Sequence, residues 1–252
     1  MKGMEERGEK IAMQTHVFYE DLITEVVEKT NNIPARFDLY ITTTASEKRE
    51  VIKTYTYTNS NADKVEIAVV ENRGRDVLPF LMQMRDVLRQ YDYICHIHTK
   101  KSLYSGIGDI WRTYLYENLL GSREIVSEIF ELLKEGKRFG IVFPENFDLI
   151  HEKIKWGSDR ELCEELMRHI DKHFKIEGEP VFPAGNMFWA RTDAVEKLFA
   201  LHLRGDVFPE ETGQLDGTLT HAIERIWLYL VESQGFGWQE VRSLSDGRPL
   251  NL

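Results

Sequence analysis

The chain has 252 residues, enough for one large domain or two small ones. Its formal net charge of −10 argues against a general nucleic-acid binder, because such proteins present a basic surface. No apolar run approaches the roughly 18 residues of a transmembrane helix, and the polar start lacks the apolar core of a signal peptide. We expect residues 1–12 to be disordered and residues 13–252 to form a single domain. Cys95 and Cys163 are expected to be buried free thiols in a reducing cytoplasm.

Strand and helix patterns alternate along the first part of the chain. Strands are predicted at residues 16–19 and 37–42, and helices at residues 20–31 and 46–53. The helix at 20–31 carries its apolar residues on one stripe and has two acids near its N-terminus. This alternating order predicts a parallel, doubly wound sheet.

The most informative segment is residues 65–101. An apolar run at 65–70 is followed by the charged turn Asn72-Arg73-Gly74-Arg75-Asp76, a helix pattern at 77–90 and a second apolar run at 93–97. The second run ends among His96, His98, Lys100 and Lys101. A strand–helix–strand unit of this kind is a right-handed crossover between parallel strands, and ligands bind at the carboxyl ends of such strands. The residues at these two strand ends therefore predict a site for a phosphate-bearing ligand.

The second half of the chain continues with helices and apolar strands. Helices are predicted at residues 109–120, from the cap Ser122 to residue 134, at 194–201 and at 217–234. Strands are predicted at 139–144 and, with a kink, at 181–191. A polar helical region at 158–174 is expected to be peripheral. No linker rich in Pro, Gly or Ser divides the chain, which favours one domain.

Several segments resemble the rhamnan synthesis protein F family. They are residues 37–42, 72–76, 91–102, 111–112, 119–122, 182–191 and 213–218. The family is associated with bacterial surface polysaccharides, namely rhamnan, the O-antigen of lipopolysaccharide, and capsule. The resemblance implies a GT-A-like glycosyltransferase, whose α/β fold is a three-layer α/β/α sandwich with a mostly parallel, doubly wound sheet.

The resemblance also implies a reaction and its partners. We expect an inverting hexosyltransferase that moves rhamnose from a nucleotide-sugar donor, dTDP-rhamnose, to a growing cell-surface polysaccharide. The acceptor would be a glycan or lipid-linked glycan at the cytoplasmic, inner face of the bacterial plasma membrane, alongside other polysaccharide-synthesis transferases. The alternative is a catalytically inactive glycan- or nucleotide-binding module of a synthesis complex, which an assay of nucleotide-sugar hydrolysis would distinguish.

The donor site is expected at the carboxyl ends of the first strands. Many GT-A enzymes hold a divalent metal there with an Asp-x-Asp motif, whereas this chain has His96-Ile97-His98. Imidazole suits Mg or Mn poorly, so we expect no required metal, with arginine and lysine neutralising the diphosphate. Strand alternation puts both histidines on one face, where they contact the ligand, hold a metal or bond a neighbouring loop. The expected donor-binding residues are Tyr19, Thr42, Thr43, Asn72, Arg73, Gly74, Arg75, Asp76, His96, His98, Lys100 and Lys101.

Acidic residues before the last long helix are the candidates for the catalytic base. Many inverting GT-A enzymes carry the base at the start of a late helix, where this chain has Asp216, and Glu210 and Glu211 are the next candidates. The alternative for Asp216 is plain N-capping of that helix. The expected acceptor-binding residues are Trp111, Arg112, Gly185, Asn186 and Trp189. The alternatives are core packing for Trp189 and a structural helix start for Trp111 and Arg112.

Overall fold

A seven-stranded sheet forms the centre of the protein in the computed structural model, which describes residues 8–101, 107–214 and 216–243. The strand order is β3-β2-β1-β4-β6-β5-β7. Only β6 runs against its two neighbours, and the other pairings are parallel. The strands are β1 (Ile11–His16), β2 (Phe37–Thr43), β3 (Lys64–Val69), β4 (Tyr93–His98), β5 (Phe139–Pro144), β6 (Phe188–Arg191) and β7 (Gly237–Val241).

Helices cover both faces of this sheet. One hydrophobic core contains side chains of α3, α6, α7 and α8, and a second contains side chains of α1, α2, α4 and α5. The predicted α/β/α fold class is therefore confirmed. The helices are α1 (Ile23–Thr30), α2 (Ser46–Asn59), α3 (Val77–Met84), α4 (Gly108–Leu120), α5 (Arg123–Lys134), α6 (Arg160–Ile170), α7 (Thr192–Ala200) and α8 (Leu219–Ser233).

The alternation of side chains along β4 decides which layer the predicted histidines meet. Ile94 belongs to the core beneath α3 and α8, whereas Cys95 and Ile97 belong to the opposite core. His96 shares the face of Ile94, and its ring stacks on Phe80 of α3 with a centroid distance of 4.1 Å. The histidines of β4 therefore point into the layer that contains α3 and α8.

The first strand starts earlier than the sequence predicted. It occupies Ile11–His16 rather than residues 16–19, and Ile11 and Ala12 are buried, so the boundary expected for disorder was placed too late. Residues 1–7 of that expected segment lie outside the described residues. The start of β1 was missed because this strand pairs with strands on both sides and is covered on both faces, so its sequence does not alternate between apolar and polar residues.

Two further predictions needed correction, and one strand was missed. The strand predicted at 181–191 exists only at Phe188–Arg191, because the positive φ angles of Gly185 (93°) and Asn186 (54°) interrupt the extended backbone. The edge strand β7 was not predicted, since its polar residues resemble a loop. Helix α6 is not peripheral, because Cys163 and Met167 are buried in the core that contains α8.

Two other local predictions are confirmed, namely the Ser122 cap and the two buried cysteines. Ser122 caps α5, with its Oγ accepting the Ile125 N–H at 3.3 Å. Cys95 and Cys163 are free and buried. Among the described residues, no helix combines the length and the apolar character needed to cross a bilayer.

Candidate functional site

The carboxyl ends of β1, β2 and β4 lie side by side, as the predicted crossover requires. His16 pairs in register with Thr42 on one side and with His98 on the other. The His16 Nδ1 lies 2.9 Å from the Thr42 Oγ1, and the neighbouring Thr43 Oγ1 donates to the Val17 carbonyl at 2.8 Å. Burial lowers the pKa of His16 to about 4, so its ring is neutral near pH 7.

Asp76 lies at the centre of this edge, immediately before α3. Its Oδ2 accepts a hydrogen bond from the Asn186 Nδ2 at 2.6 Å and lies 3.2 Å from the His96 Nε2, while the His98 Nε2 is 3.9 Å from its Oδ1. Burial by itself would raise the pKa of Asp76, but the two histidines and the Asn186 amide hold that pKa well below its usual range. The carboxylate therefore stays ionised, and its Oδ1 remains the less engaged oxygen.

A second set of hydrogen bonds fixes the partners of Asp76. The Trp227 Nε1, which is only a donor, bonds the Asn186 Oδ1 at 2.7 Å, so the Asn186 amide N–H groups must face Asp76. The His96 Nδ1 lies 2.6 Å from the Gln14 Oε1. The two ring nitrogens of His96 therefore face two oxygen atoms, one of Gln14 and one of Asp76. Asp76 is thus held in one orientation by donors from the sheet and from the segment before β6.

The peptide of Gly185 joins β4 to α8. The His98 Nε2 donates to the Gly185 carbonyl at 2.8 Å, and the Gly185 N–H donates to the Glu224 Oε1 at 2.8 Å. Burial lowers the pKa of His98 to about 4 and raises the pKa of Glu224 above its usual value. Glu224 was not predicted from the sequence; its only signal there is its position three residues after His221, which places both on one face of α8.

Lys100 brings a cation to the same edge. Its Nζ lies 4.1 Å from the centroid of the Trp111 ring, and burial lowers its pKa while the charges of Glu224 and Asp76 oppose that effect. Within the described ranges, the ammonium has no hydrogen-bond acceptor and no carboxylate oxygen within 4.0 Å. A partly buried lysine side chain without such a partner is suited to bind an anion.

The two arginines of the predicted turn bind a distant loop. Gly74 (φ 65°) and Arg75 (φ 52°) both have left-handed backbones. The Arg75 Nε donates to the Glu211 Oε2 at 3.2 Å, and its other nitrogens contact the His221 Nε2 at 3.1 Å and the Gln214 carbonyl. Arg73 donates to the Phe208 carbonyl at 2.7 Å and lies 3.5 Å from the Glu210 Oε1. The structure therefore brings Glu210 and Glu211 to the edge, but as partners of these arginines.

Asp216 lies at the border of the site and is strongly engaged. Its Oδ2 accepts the Ser158 N–H at 2.7 Å, and its Oδ1 lies 3.3 Å from the Arg225 guanidinium. Burial works against ionisation, but the bonds with Asp159, Ser158 and Arg225 lower the pKa of Asp216. The first turn of α8 receives no side-chain cap from the preceding Thr218, and Asp216 bonds the segment before α6 instead, so the alternative of simple N-capping does not describe its contacts.

One group of side chains has the composition of a metal site. Ligand atoms of Asp159, Asp216 and His221 all lie within 4.8 Å of one another. However, the Arg225 guanidinium is 2.9 Å from Asp159 and 3.3 Å from Asp216, so a cation already neutralises both carboxylates. Both nitrogens of His221 are engaged as well, with Arg75 and Thr218. These residues therefore do not fit a divalent metal, and neither does His96, whose two nitrogens face Gln14 and Asp76.

The remaining predicted residues divide into site neighbours and structural residues. Trp189 is fully buried and donates to the Leu119 carbonyl at 3.0 Å, so core packing is confirmed and it cannot form an acceptor platform. Arg112 bonds Glu25, Asp109 and the Lys100 carbonyl, which anchors the start of α4. Lys101 pairs with Asp21 and lies over the Tyr19 ring, so it is not a partner of Asp76. Asn72 is exposed at the turn.

The chain is an α/β protein with a cluster of charged side chains at the carboxyl edge of its sheet, and comparison with known proteins identifies its family. The sequence profile of rhamnan synthesis protein F matches residues 2–236, and the chain belongs to this family. The uncharacterized protein WxcX of Xanthomonas campestris pv. campestris strain B100 is 32% identical over 212 residues, or 83% of this chain. WxcX of strain ATCC 33913 gives the same identity. The aligned part spans only 30% of the length of these relatives.

Two solved structures are similar in fold. CMP:2-keto-3-deoxy-manno-octonic acid synthetase complexed with CTP has a TM-score of 0.44 and 7% identity, covering 92% of this chain and 89% of the synthetase. S. aureus TarS 1–349 has a TM-score of 0.45 and 10% identity, covering 86% of this chain and 54% of TarS. These likenesses concern the fold alone.

Proposed function

We propose that the chain is an inverting glycosyltransferase that uses a nucleotide-sugar donor in the synthesis of a bacterial surface polysaccharide. The observation that carries the proposal is the partly buried Lys100 side chain, which follows the end of β4 and lacks an anionic partner within 4.0 Å among the described residues. A diphosphate group supplies the negative charge that this position lacks, and strand carboxyl ends are where α/β folds bind such groups. Membership of the rhamnan synthesis protein F family supports the polysaccharide role.

The proposed reaction is a single displacement at the anomeric carbon. An acceptor hydroxyl attacks that carbon, the bond to the diphosphate oxygen breaks, and the hydroxyl proton passes to a carboxylate of the protein. Lys100 stabilises the negative charge that develops on the leaving diphosphate, and Arg75 contributes from the other side once a phosphate competes with Glu211 for its guanidinium. Asp76 keeps an oxygen available for a sugar hydroxyl, because its other oxygen holds the donors described above.

The finer substrate assignment follows from the family. We propose rhamnose as the sugar and dTDP-rhamnose as the donor, because the family is defined by rhamnan synthesis. The proposed acceptor is a glycan or lipid-linked glycan at the inner face of the plasma membrane. WxcX is more than three times as long as the part that aligns with this chain, which is consistent with work alongside other transferase units.

A second candidate is a module that binds nucleotide or glycan without catalysis. The observation that favours it is that Arg73 and Arg75, the two arginines of the predicted donor turn, both bond residues 208–214 in this structure. A module of this kind would bind nucleoside diphosphate but would neither hydrolyse nor transfer any nucleotide sugar.

Calorimetry with dTDP, UDP, GDP and CDP tests the binding step. For the nucleotide that binds, Lys100→Met should weaken affinity by about 10- to 150-fold, the equivalent of about 1.5–3 kcal/mol for a charge-assisted interaction. Lys64→Met is the matched control, since Lys64 begins β3 at the opposite edge of the sheet and pairs with Glu66. Equal affinities of a folded Lys100→Met variant and the wild type would reject the site. Transfer or hydrolysis with a panel of nucleotide sugars then separates the enzyme from the binding module.

A further inference from the structure

We propose that Glu224 is the carboxylate that accepts the proton of the attacking hydroxyl, an inference that rests on the proposed transferase function. Glu224 lies on α8, which faces the carboxyl edge of the sheet through His221 and through Trp227, the partner of Asn186. Its Oε1 accepts the Gly185 N–H at 2.8 Å, which fixes the direction of the carboxylate. A base must be held in place before it reacts, and this bond supplies that anchoring.

The second oxygen of Glu224 is free to act. Among the described residues, Oε2 takes part in no hydrogen bond and no ion pair. The Glu224 side chain is partly exposed rather than fully enclosed. One oxygen held by the backbone and one oxygen open to the site is the arrangement that proton acceptance requires.

The electrostatic surroundings of Glu224 suit the same task. Burial raises its pKa, which makes the carboxylate a stronger base than an exposed glutamate. The nearby Lys100 charge opposes that rise. When a diphosphate binds Lys100, its negative charge offsets the positive charge of the lysine. The proton affinity of Glu224 then rises at the step in which Glu224 accepts a proton.

The other acids at this edge are less suitable. Both oxygens of Asp216 are engaged, by Ser158 and by Arg225, and its pKa is lowered, so it is a weak proton acceptor. Asp76 is also held ionised by its donors. Glu210 and Glu211 face the guanidinium groups of Arg73 and Arg75. Among the described residues, each of these other acids has a basic side chain within 4.0 Å, whereas Glu224 has an oxygen anchored by a backbone N–H and no such basic partner.

The step balances without any further reactant. The hydroxyl proton moves to the Glu224 Oε2 while the hydroxyl oxygen forms its bond to the anomeric carbon. The electron pair of the broken carbon–oxygen bond leaves with the diphosphate, whose charge Lys100 meets. The proton is later lost to solvent, which returns Glu224 to its ionised state.

Glu224→Gln is the informative variant, because an amide oxygen can still accept the Gly185 N–H while it cannot accept a proton. Transfer is assayed with dTDP-rhamnose and other nucleotide sugars, using a rhamnosyl oligosaccharide as acceptor. We expect kcat to fall by about 100-fold or more, with no loss of affinity for the nucleoside diphosphate and no fall in melting temperature. The rise of the wild-type rate with pH on the acid side should disappear in the variant. Glu232→Gln, on the exposed end of α8, is the matched control and should behave as wild type.

Further variants make the outcomes decisive. In Glu224→Ala, added formate should restore part of the lost rate, because a small carboxylate can occupy the vacated position. Two outcomes reject Glu224 as the base without rejecting the proposed function. One is near-wild-type turnover in Glu224→Gln. The other is a loss of turnover in Asp216→Asn that exceeds the loss in Glu224→Gln at equal stability. Absence of transfer by the wild type with every donor overturns the proposed function itself, and this inference with it.

Discussion

Gly185 offers a sharp test of how the site is built, because a methyl group there meets both a backbone cost and a steric cost. Its φ of 93° is rare for any residue with a side chain. A Cβ at this position would lie 2.8 Å from the Leu115 Cδ1 and 3.3 Å from the Trp111 Cζ2. The nearer of these atoms is the end of a buried but flexible side chain, since Leu115 is 2% exposed, so its adjustment relieves part of the contact at some cost in packing.

The two costs can be separated with a second glycine. Gly178 has a similar φ of 73°, but a Cβ there meets nothing within 4 Å. Gly178→Ala should therefore cost only the left-handed backbone penalty, about 1–2 kcal/mol, reduced by about 0.4–1 kcal/mol through the stiffer unfolded chain. Gly185→Ala adds the cost of overpacking, about 1–3 kcal/mol, and the lower half applies because the end of the Leu115 side chain can turn aside. The expected difference between the two variants is about 1–2 kcal/mol.

Urea unfolding of both variants measures this difference, provided that the m-values agree with the wild type. Gly185→Ala should also reduce transfer, because the shifted peptide contacts both His98 and Glu224, whereas Gly178→Ala should leave transfer unchanged. If the two variants lose the same free energy of unfolding within about 0.5 kcal/mol, the close packing around Gly185 does not exist as described.

Two further predictions concern pH and metal. Burial lowers the pKa of His16, His98 and His221 to about 4, so the unfolded chain binds protons that the folded protein rejects. The stability that depends on these groups is complete above about pH 6.5 and is lost as pH falls through about 4, on the order of 2–3 kcal/mol for each group. Asp159 has the opposite effect, because burial raises its pKa to about 7. Its contribution to the free energy of unfolding is present at acid pH and is lost as pH rises through 7. The free energy of unfolding should therefore fall between pH 7 and 4.5, and a flat or rising profile would contradict this balance. Transfer should survive exhaustive chelation, since Arg225 already occupies the position between Asp159 and Asp216; a loss of activity that Mn restores would show that a metal displaces the guanidinium.

The location of the site could be predicted from the sequence because it depends on a local unit. The turn before α3 and the end of β4 belong to one strand–helix–strand crossover, and such a crossover brings its strand ends to the same edge. The alternation that puts His96 and His98 on one face is likewise local. These features need no knowledge of distant residues, so Asp76 and both histidines are found where they were expected.

The partners of these residues could not be predicted, because they come from far along the chain. Asn186 reaches Asp76 across 110 positions, and Arg75 meets His221 across 146 positions. Glu224 could not be predicted for a different reason. A charged residue in a helix is normally solvated, and only the packing of α8 on the sheet places Glu224 beside the strand ends. Trp189 was assigned to the acceptor site because an aromatic residue near a glycine suits either a platform or a core, and strand pairing decided for the core.

The single antiparallel strand has a consequence for how the protein reaches its active form. A parallel strand delivers to this edge the residues that follow it, whereas β6 delivers the residues that precede it, Gly185 and Asn186. A slip of β6 by two positions against β4 would keep every side chain on its own face, yet it would carry Asn186 about 7 Å away from Asp76. Contacts of such long sequence separation form slowly. The sheet therefore can be complete before the site is, and a chain trapped in the shifted register would give a native-like circular dichroism spectrum while failing to bind its ligand.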